Sequence, residues 1–184
     1  MVKIIGGKYR SRVLATLEGL NTRPMTSRMK ESIFNTIGPY FDNDVVLDLF
    51  GGSGALSLEA ISRGASFAYI NEKAYDALKI IKKNVESLKT ENETRIMNLD
   101  YKVALKKLAS DEVKFDLIFL DPPYRMNIVG EIVEYIVNND MLKDKAIIVC
   151  QYVSGNYKPA DSPVLKLLKN FSYASSEVCI YQKN

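Results

Sequence analysis

The chain has 184 residues, of which 47% are hydrophobic and 26% charged, with a formal net charge of +3 and no histidine. That composition fits one globular domain with a real core, and it excludes histidine-based acid–base chemistry, Ser-His-Asp hydrolysis and the common zinc sites, so no metal is expected. No apolar run nears the ~20 residues of a membrane helix and no secretory signal opens the chain, so a cytoplasmic protein is expected.

Of the 25 basic and 22 acidic residues, seven basic ones (Lys3, Lys8, Arg10, Arg12, Arg23, Arg28, Lys30) and one acid (Glu18) fall within 1–30. A positive field gathered there suits a polyanionic partner, although a solvated basic face has the same composition. In chain order, "KIIGGKYRSRVLAT" (3–16) predicts a β-hairpin turning at Gly6-Gly7. "SRMKESIFNTI" (27–37) predicts a helix capped by Thr26 or Ser27. From residue 44, short apolar runs alternate with helical spacing. "VVLDLF" (45–50) is a strand, followed by a glycine turn and a helix over 55–64. "FAYINE" (67–72) is a second strand. The run 74–89 then places Leu78, Ile81, Val85 and Leu88 on one helical face. Strands at 94–100 and 115–121 follow, separated by a helix around 102–109; a helix near 128–139 and a strand at 146–152 come next. Two further strands, 164–170 and 175–182, close the pattern without a helix between them. This is the pattern of βαβ units forming a mostly parallel α/β sheet, with an antiparallel pair at one edge. Cys150 and Cys179 lie in two of these apolar runs and are expected to be core residues rather than catalysts or a disulfide. One domain over 1–184 is expected, with residues 1–40 as a basic appendage.

Ligands of open parallel sheets bind beyond the carboxyl ends of the strands, and acids stand at four such ends here. Asp48 begins "DLFGGSG", a D-x-F-x-G-x-G run containing Phe50, Gly52 and Gly54. The glycines allow close backbone approach to a ligand, but the third glycine of a dinucleotide loop would fall on Ser57. A carboxylate before the turn would repel a pyrophosphate and suits cationic amino and sulfonium groups, as in S-adenosyl-L-methionine. Glu72, 24 residues past Asp48, can accept hydrogen bonds from ribose hydroxyls. Asp100 can accept from an adenine amino group, cap the following helix, or do both. After the fourth strand comes "DPPY" (121–124). A nucleobase amine is a weak nucleophile that gains positive charge as it attacks a methyl group. Asp121 and the Pro122 carbonyl can accept its two N–H groups and stabilise that charge, and Tyr124 can stack the base. Taken alone, the tetrapeptide could equally be a turn.

The combination of "DPPY" with "DLFGGSGAL" resembles the amino-methyltransferase branch of the class I S-adenosylmethionine-dependent methyltransferases. The segments "IIGGKYRSRVL", "TRPMTSRMKESIFNTI" and "CIYQK" extend the resemblance to the bacterial enzymes that methylate the N2 amine of a guanine in 16S rRNA, over nearly the whole chain. That resemblance implies a seven-stranded Rossmann-like sheet in the order 3-2-1-4-5-7-6 with the last strand antiparallel. It implies cofactor contacts from Asp48, Gly52, Glu72 and Asp100, to which Phe50 and Gly54 of the same run are added. Asp121, Pro122 and Tyr124 would hold the base. The N-terminal hairpin and helix would flank the site, with Lys8, Arg10, Arg12, Arg23 and Arg28 on RNA phosphates. A monomer acting on 16S rRNA or a partly assembled small subunit is expected.

Two departures from the family pattern stand out. "NEK" (71–73) lacks a second acid after Glu72, and Gln151 stands where relatives commonly carry an acid. The rival readings are a DNA adenine-N6 methyltransferase, which uses the same tetrapeptide but needs more recognition surface than 40 spare residues supply, and a non-catalytic rRNA-binding assembly factor.

Overall fold

The computed structural model describes residues 2–17, 27–123, 126–173 and 175–184. Its elements run in the order β1 (Val2–Lys3), β2 (Val13–Leu14), α1 (Ser27–Ile37), β3 (Val45–Asp48), α2 (Ala55–Ser62), β4 (Phe67–Asn71) and α3 (Tyr75–Leu88). They continue with a 3-10 turn at Glu91–Glu93, β5 (Thr94–Met97), α4 (Tyr101–Ser110), β6 (Phe115–Leu120), α5 (Val129–Asn138), β7 (Leu142–Val153), β8 (Leu165–Tyr173) and β9 (Ser176–Lys183). Seven strands form one sheet in the order β5-β4-β3-β6-β7-β9-β8, the order the family resemblance implies. The first five of these are parallel, and β9 runs antiparallel to both its neighbours. No helix of the described residues is long and apolar enough to cross a membrane.

Alternation along the central strands sorts their side chains onto two faces. Val46, Leu117, Phe119, Val149, Val178 and Ile180 point to one side, where α1, α2 and α3 cover them with Ile33, Phe34, Leu58, Ile61, Ile81 and Val85. Leu47, Ile118, Leu120, Ile148, Cys150 and Cys179 point to the other, under Leu105, Leu108, Ile132 and Ile136 of α4 and α5. Burial on both faces is why these strands read as continuous apolar runs. Cys150 and Cys179 are opposite one another on β7 and β9, buried and unbridged.

The N-terminal segment differs from the expected hairpin. Only two residue pairs, Val2–Leu14 and Lys3–Val13, form strand ladder. The reversal falls at 8–11, with Arg10 N–H donating to Gly7 O and Arg12 N–H to Tyr9 O. Gly6 and Gly7 instead seat the loop on the end of α2. Lys8 N–H donates to Ser62 O over 2.7 Å and Tyr9 N–H to Ser62 Oγ over 2.9 Å. A Cβ on Gly7 would sit 1.7 Å from Ser62 O, and its φ is 75°, so only glycine allows this approach. Below the loop, Glu59 is fully buried and accepts from Ile5 N–H, Gly6 N–H, Lys30 Nζ and Arg63 Nε, each at 2.8 Å. One carboxylate thus ties the N-terminal loop, α1 and α2 together. Helix α1 begins at Ser27, and Thr26, the other expected cap, lies outside the described residues.

Candidate active site

The acids at the ends of β3, β4 and β6 converge because those strands are neighbours in the sheet. Asp48 is the last residue of β3 and only 1% exposed. Its Oδ2 accepts from Ser57 Oγ over 3.0 Å, whereas its Oδ1 is buried with no hydrogen-bond partner. Burial raises the Asp48 pKa to about 7, with Ser57 opposing the shift and the charges of Asp121 and Glu72 adding to it. Ser57 holds the position at which a dinucleotide loop would carry its third glycine, so the same residue that weakens the dinucleotide reading serves the carboxylate.

The loop after β3 is shaped by its glycines. Gly51 N–H donates to Asn71 O over 2.8 Å, and a Cβ on Gly51 would meet Ile70 Cγ2 at 2.6 Å. Gly54 precedes the first turn of α2. Gly52 is exposed, faces open space, and donates its N–H to Glu72 Oε2 over 2.9 Å. Glu72 Oε1 accepts from Ala74 N–H over 2.7 Å, so the carboxylate is fixed beside the glycine loop. Asn71, 2% exposed, crosslinks three strand ends by donating to Leu49 O and Leu99 O and accepting from Leu99 N–H. Nothing in the sequence marks Asn71 beyond its polarity at the end of an apolar run.

Asp100 caps α4, its Oδ1 accepting from Lys102 N–H over 3.1 Å. Its Oδ2 pairs with Lys73 Nζ at 3.0 Å, and these partners, Lys73 first, hold its pKa below the usual carboxylate value. Phe50 is half-buried and packs against Tyr101 with ring centres 5.7 Å apart. Asp121 follows β6 and is half-buried, and burial raises its pKa to about 7. Its carboxylate accepts no hydrogen bond from the described residues. Pro122 is buried and Pro123 exposed. Tyr124 and Arg23 lie outside the described residues.

The expected basic residues are not gathered at this rim. The loop carrying Lys8 and Arg10 rests on Ser62, at the end of α2 that leads into β4, which is the opposite edge of the sheet. Lys8 Nζ pairs with Glu93, just before β5, at 2.8 Å, and Arg12 donates to Ser87 O in the last turn of α3 over 3.1 Å. Arg10 is exposed on the same loop. The turn of the hairpin is therefore held away from the strand-end acids, fastened by Glu59 and Ser62 to the far half of α2. The chain after β2, in contrast, reaches the glycine loop: Ala15 exchanges two hydrogen bonds with Asn84, whose Nδ2 also donates to Ser53 O over 2.9 Å. Arg28 is exposed in the first turn of α1. The far end of that helix is held at the same edge as the hairpin loop, by Phe41 N–H on Arg63 O and by Arg63 Nη1 on Pro39 O.

A seven-stranded sheet with this strand order, bearing a glycine turn after a strand-end acid, has the fold of a class I methyltransferase. The chain belongs to the family described as Conserved hypothetical protein 95, whose model matches residues 2–182. It is 35% identical over 182 residues to the Bacillus subtilis protein named "Putative rRNA methyltransferase YlbH", covering 99% of each chain. It is also 35% identical over 147 residues to "Ribosomal RNA small subunit methyltransferase D" of Escherichia coli strain K12, covering 80% of this chain and 72% of that one. A solved Escherichia coli structure, "Putative methyltransferase yhhF", superposes with a TM-score of 0.84 at 28% identity, covering 100% of this chain and 98% of the other.

Proposed function

We propose that this chain transfers a methyl group from S-adenosylmethionine to the exocyclic N2 amine of a guanine in 16S rRNA, presented by the small ribosomal subunit or an assembly intermediate. The observation that carries this is the meeting of Asp48, Glu72 and Asp121 around a buried acceptor, Asp48 Oδ1, that no described residue satisfies. A buried carboxylate with one oxygen lacking a donor, in the field of two more acids, fits a ligand bearing an ammonium and a sulfonium group and disfavours a pyrophosphate. Relatives named as rRNA methyltransferases support the RNA substrate. The choice of guanine N2 follows the resemblance carried by "DPPY" and the N-terminal segments.

S-adenosylmethionine supplies, when bound, an electrophilic methyl group on a positive sulfur. Asp48 and the loop through Phe50, Gly52 and Gly54 would hold its charged end, Glu72 its ribose and Asp100 its adenine. The Asp100–Lys73 pair is solvent-exposed, and such pairs are worth about 0–1 kcal/mol, so it yields readily to a competing amine. Asp121 and the Pro122 carbonyl would accept the two amine protons, draw the nitrogen lone pair toward the methyl carbon and offset the positive charge that grows there. The proline pair fixes these acceptors before reaction. Tyr124 would stack the base.

The same proposal treats residues 1–184 as one methyltransferase unit with 1–40 appended, working as a cytoplasmic monomer. Lys8, Arg10, Arg12, Arg23 and Arg28 would then contact rRNA along the α1–α3 side. Because α2 alone spans about 12 Å, phosphates on the hairpin turn and a base at Asp121 would be held at different points of the substrate surface.

Nucleoside mass spectrometry of 16S rRNA from cells lacking the protein tests this. One N2-methylguanosine should disappear, and return with the wild-type gene but not with Asp121→Ala. An unchanged nucleoside profile, or transfer to naked duplex DNA as fast as to small subunits, overturns the proposal.

A further inference from the structure

Gln151 is a polar residue in a place built for apolar ones. It lies on β7, is 4% exposed, and its Oε1 is buried with no hydrogen-bond partner. Leaving a buried polar atom unpaired is unfavourable, so a buried acceptor beside a cleft points to a donor that arrives with a ligand.

The strand register locates that donor. Leu120 of β6 pairs with Cys150 of β7, so Gln151 stands beside Asp121, on strands about 4.8 Å apart. Alternation decides the side. Leu120 and Cys150 face the α4–α5 core, whereas Phe119 and Val149 face the α1–α3 core. Asp121 and Gln151, two residues beyond Phe119 and Val149, follow them to that second side. Asp48, the register partner of Phe119, is also there. Asp48, Asp121 and Gln151 thus line one face at the ends of three adjacent strands.

We propose that Gln151 selects the base: its Oε1 accepts the ring N–H beside the exocyclic amine held by Asp121, and so admits guanine. This rests on the amine-methylation proposal above and extends it to base choice. Three nucleobases carry an exocyclic amine. In adenine and cytosine the Watson–Crick ring nitrogen next to the amine is an acceptor, which would oppose Oε1. In guanine it is N1–H, a donor, which satisfies it. Asp121 and the Pro122 carbonyl accept amine protons from any of the three, so they supply the chemistry and do not discriminate. A neutral acceptor beside them discriminates without adding a further negative charge to a cleft that already holds Asp48, Glu72 and Asp121.

The test uses small subunits reconstituted with 16S rRNA that carries either guanine or 2,6-diaminopurine at the position methylated by the wild-type protein. The analogue keeps the N2 amine and replaces N1–H with an acceptor. Methyl transfer from S-adenosylmethionine is followed for wild type, Gln151→Met and Gln151→Glu, with a thermal shift by S-adenosylhomocysteine as the check on folding. Wild type should prefer guanine by about ten- to a hundredfold, the range of one buried hydrogen bond and its unpaired alternative. Gln151→Met, similar in size and without the acceptor, should lose that preference while the shift by S-adenosylhomocysteine is unchanged. Gln151→Glu, which keeps an acceptor and removes the amide donor, should retain it. A full guanine preference in Gln151→Met, or its loss in Gln151→Glu, overturns the role of Oε1. Absence of transfer by wild type to guanine-bearing subunits instead overturns the methylation proposal itself.

Discussion

Ser57 donates its hydroxyl to Asp48 Oδ2 over 3.0 Å while Oδ1 of the same carboxylate stays buried and unpartnered. The pair joins the first turn of α2 to the end of β3, so the serine aims the acid and leaves one oxygen for a ligand. Ser57→Ala should remove the side-chain hydrogen bond that opposes the upward shift of Asp48, the larger of the two contributions Ser57 makes against it. S-adenosylmethionine affinity at neutral pH should then fall about tenfold, the equivalent of one pKa unit. At about pH 8, where the acid ionises, stability should fall by roughly 1–3 kcal/mol. Isothermal titration and thermal melts check both effects, and unaltered affinity would count against Ser57 as the residue that positions Asp48.

Both Asp48 and Asp121 have their pKa raised from 3.8 to about 7 by burial. The folded chain therefore binds more protons than the unfolded chain between those values. The stability these two acids contribute is complete below about pH 4 and is lost as pH rises through about 7. A cationic ligand reverses the preference by favouring the ionised acids. S-adenosylmethionine should bind more tightly as pH rises from about 6 to about 8, with proton release near pH 7. Calorimetry in two buffers of different ionisation enthalpy measures that release, and affinity independent of pH would exclude these acids from the binding site.

Asp121→Ala should lower kcat by about 10²–10³-fold, the usual cost of removing a group that stabilises developing charge, and leave S-adenosylhomocysteine affinity nearly unchanged. Asp48→Ala should weaken the cofactor first. Parallel kinetic and binding titrations separate the two, and equal losses of cofactor affinity in both variants would remove the distinction drawn between them.

Glu59→Gln should act on stability. It leaves Lys30 and Arg63, 4% and 7% exposed in their side chains, without their buried counter-charge. Breaking such a group costs about 3–5 kcal/mol, or a fall in Tm of about 6–20 °C for a chain of this size. Because Ile5 and Gly6 also depend on Glu59, amide exchange at these two positions should speed up together with the melting change.

Arg10→Glu should raise the KM for small subunits and make it less steeply salt-dependent, because fewer counterions are released on docking. Cofactor affinity should be unaltered, since Arg10 lies on a loop at the far edge of the sheet from Asp48. A salt-insensitive KM in both proteins would remove the hairpin from the docking surface.

The strand-end acids were legible from sequence because an acid that ends an apolar run stands out by itself. Asp48, Glu72, Asp100 and Asp121 each do so, and the sheet order follows from the strand–helix alternation together with the family resemblance. The partners of these acids were not legible. Ser57 has no motif of its own in this chain, and Asn71 reads as an ordinary strand terminus. Glu59 draws its meaning from Ile5, Gly6 and Lys30, which are distant in sequence. Two glycines normally suggest a turn, yet at Gly6-Gly7 they serve contact with Ser62 and Arg63. Gln151 became interpretable only when the β6–β7 register put it beside Asp121.

The placement of β9 between β7 and β8 has a consequence for biosynthesis. During translation β7 emerges long before residues 176–183, yet its Val149 and Gln151 lie against Ile180 and Val178 of that later strand. Until β9 inserts, β7 is an uncovered sheet edge, and the wall of the cleft that carries Gln151 lacks its neighbour. The glycine loop and the first three helices precede β7 in the chain, so the side of the cleft that carries Gln151 is completed only when β9, near residue 180, pairs with β7.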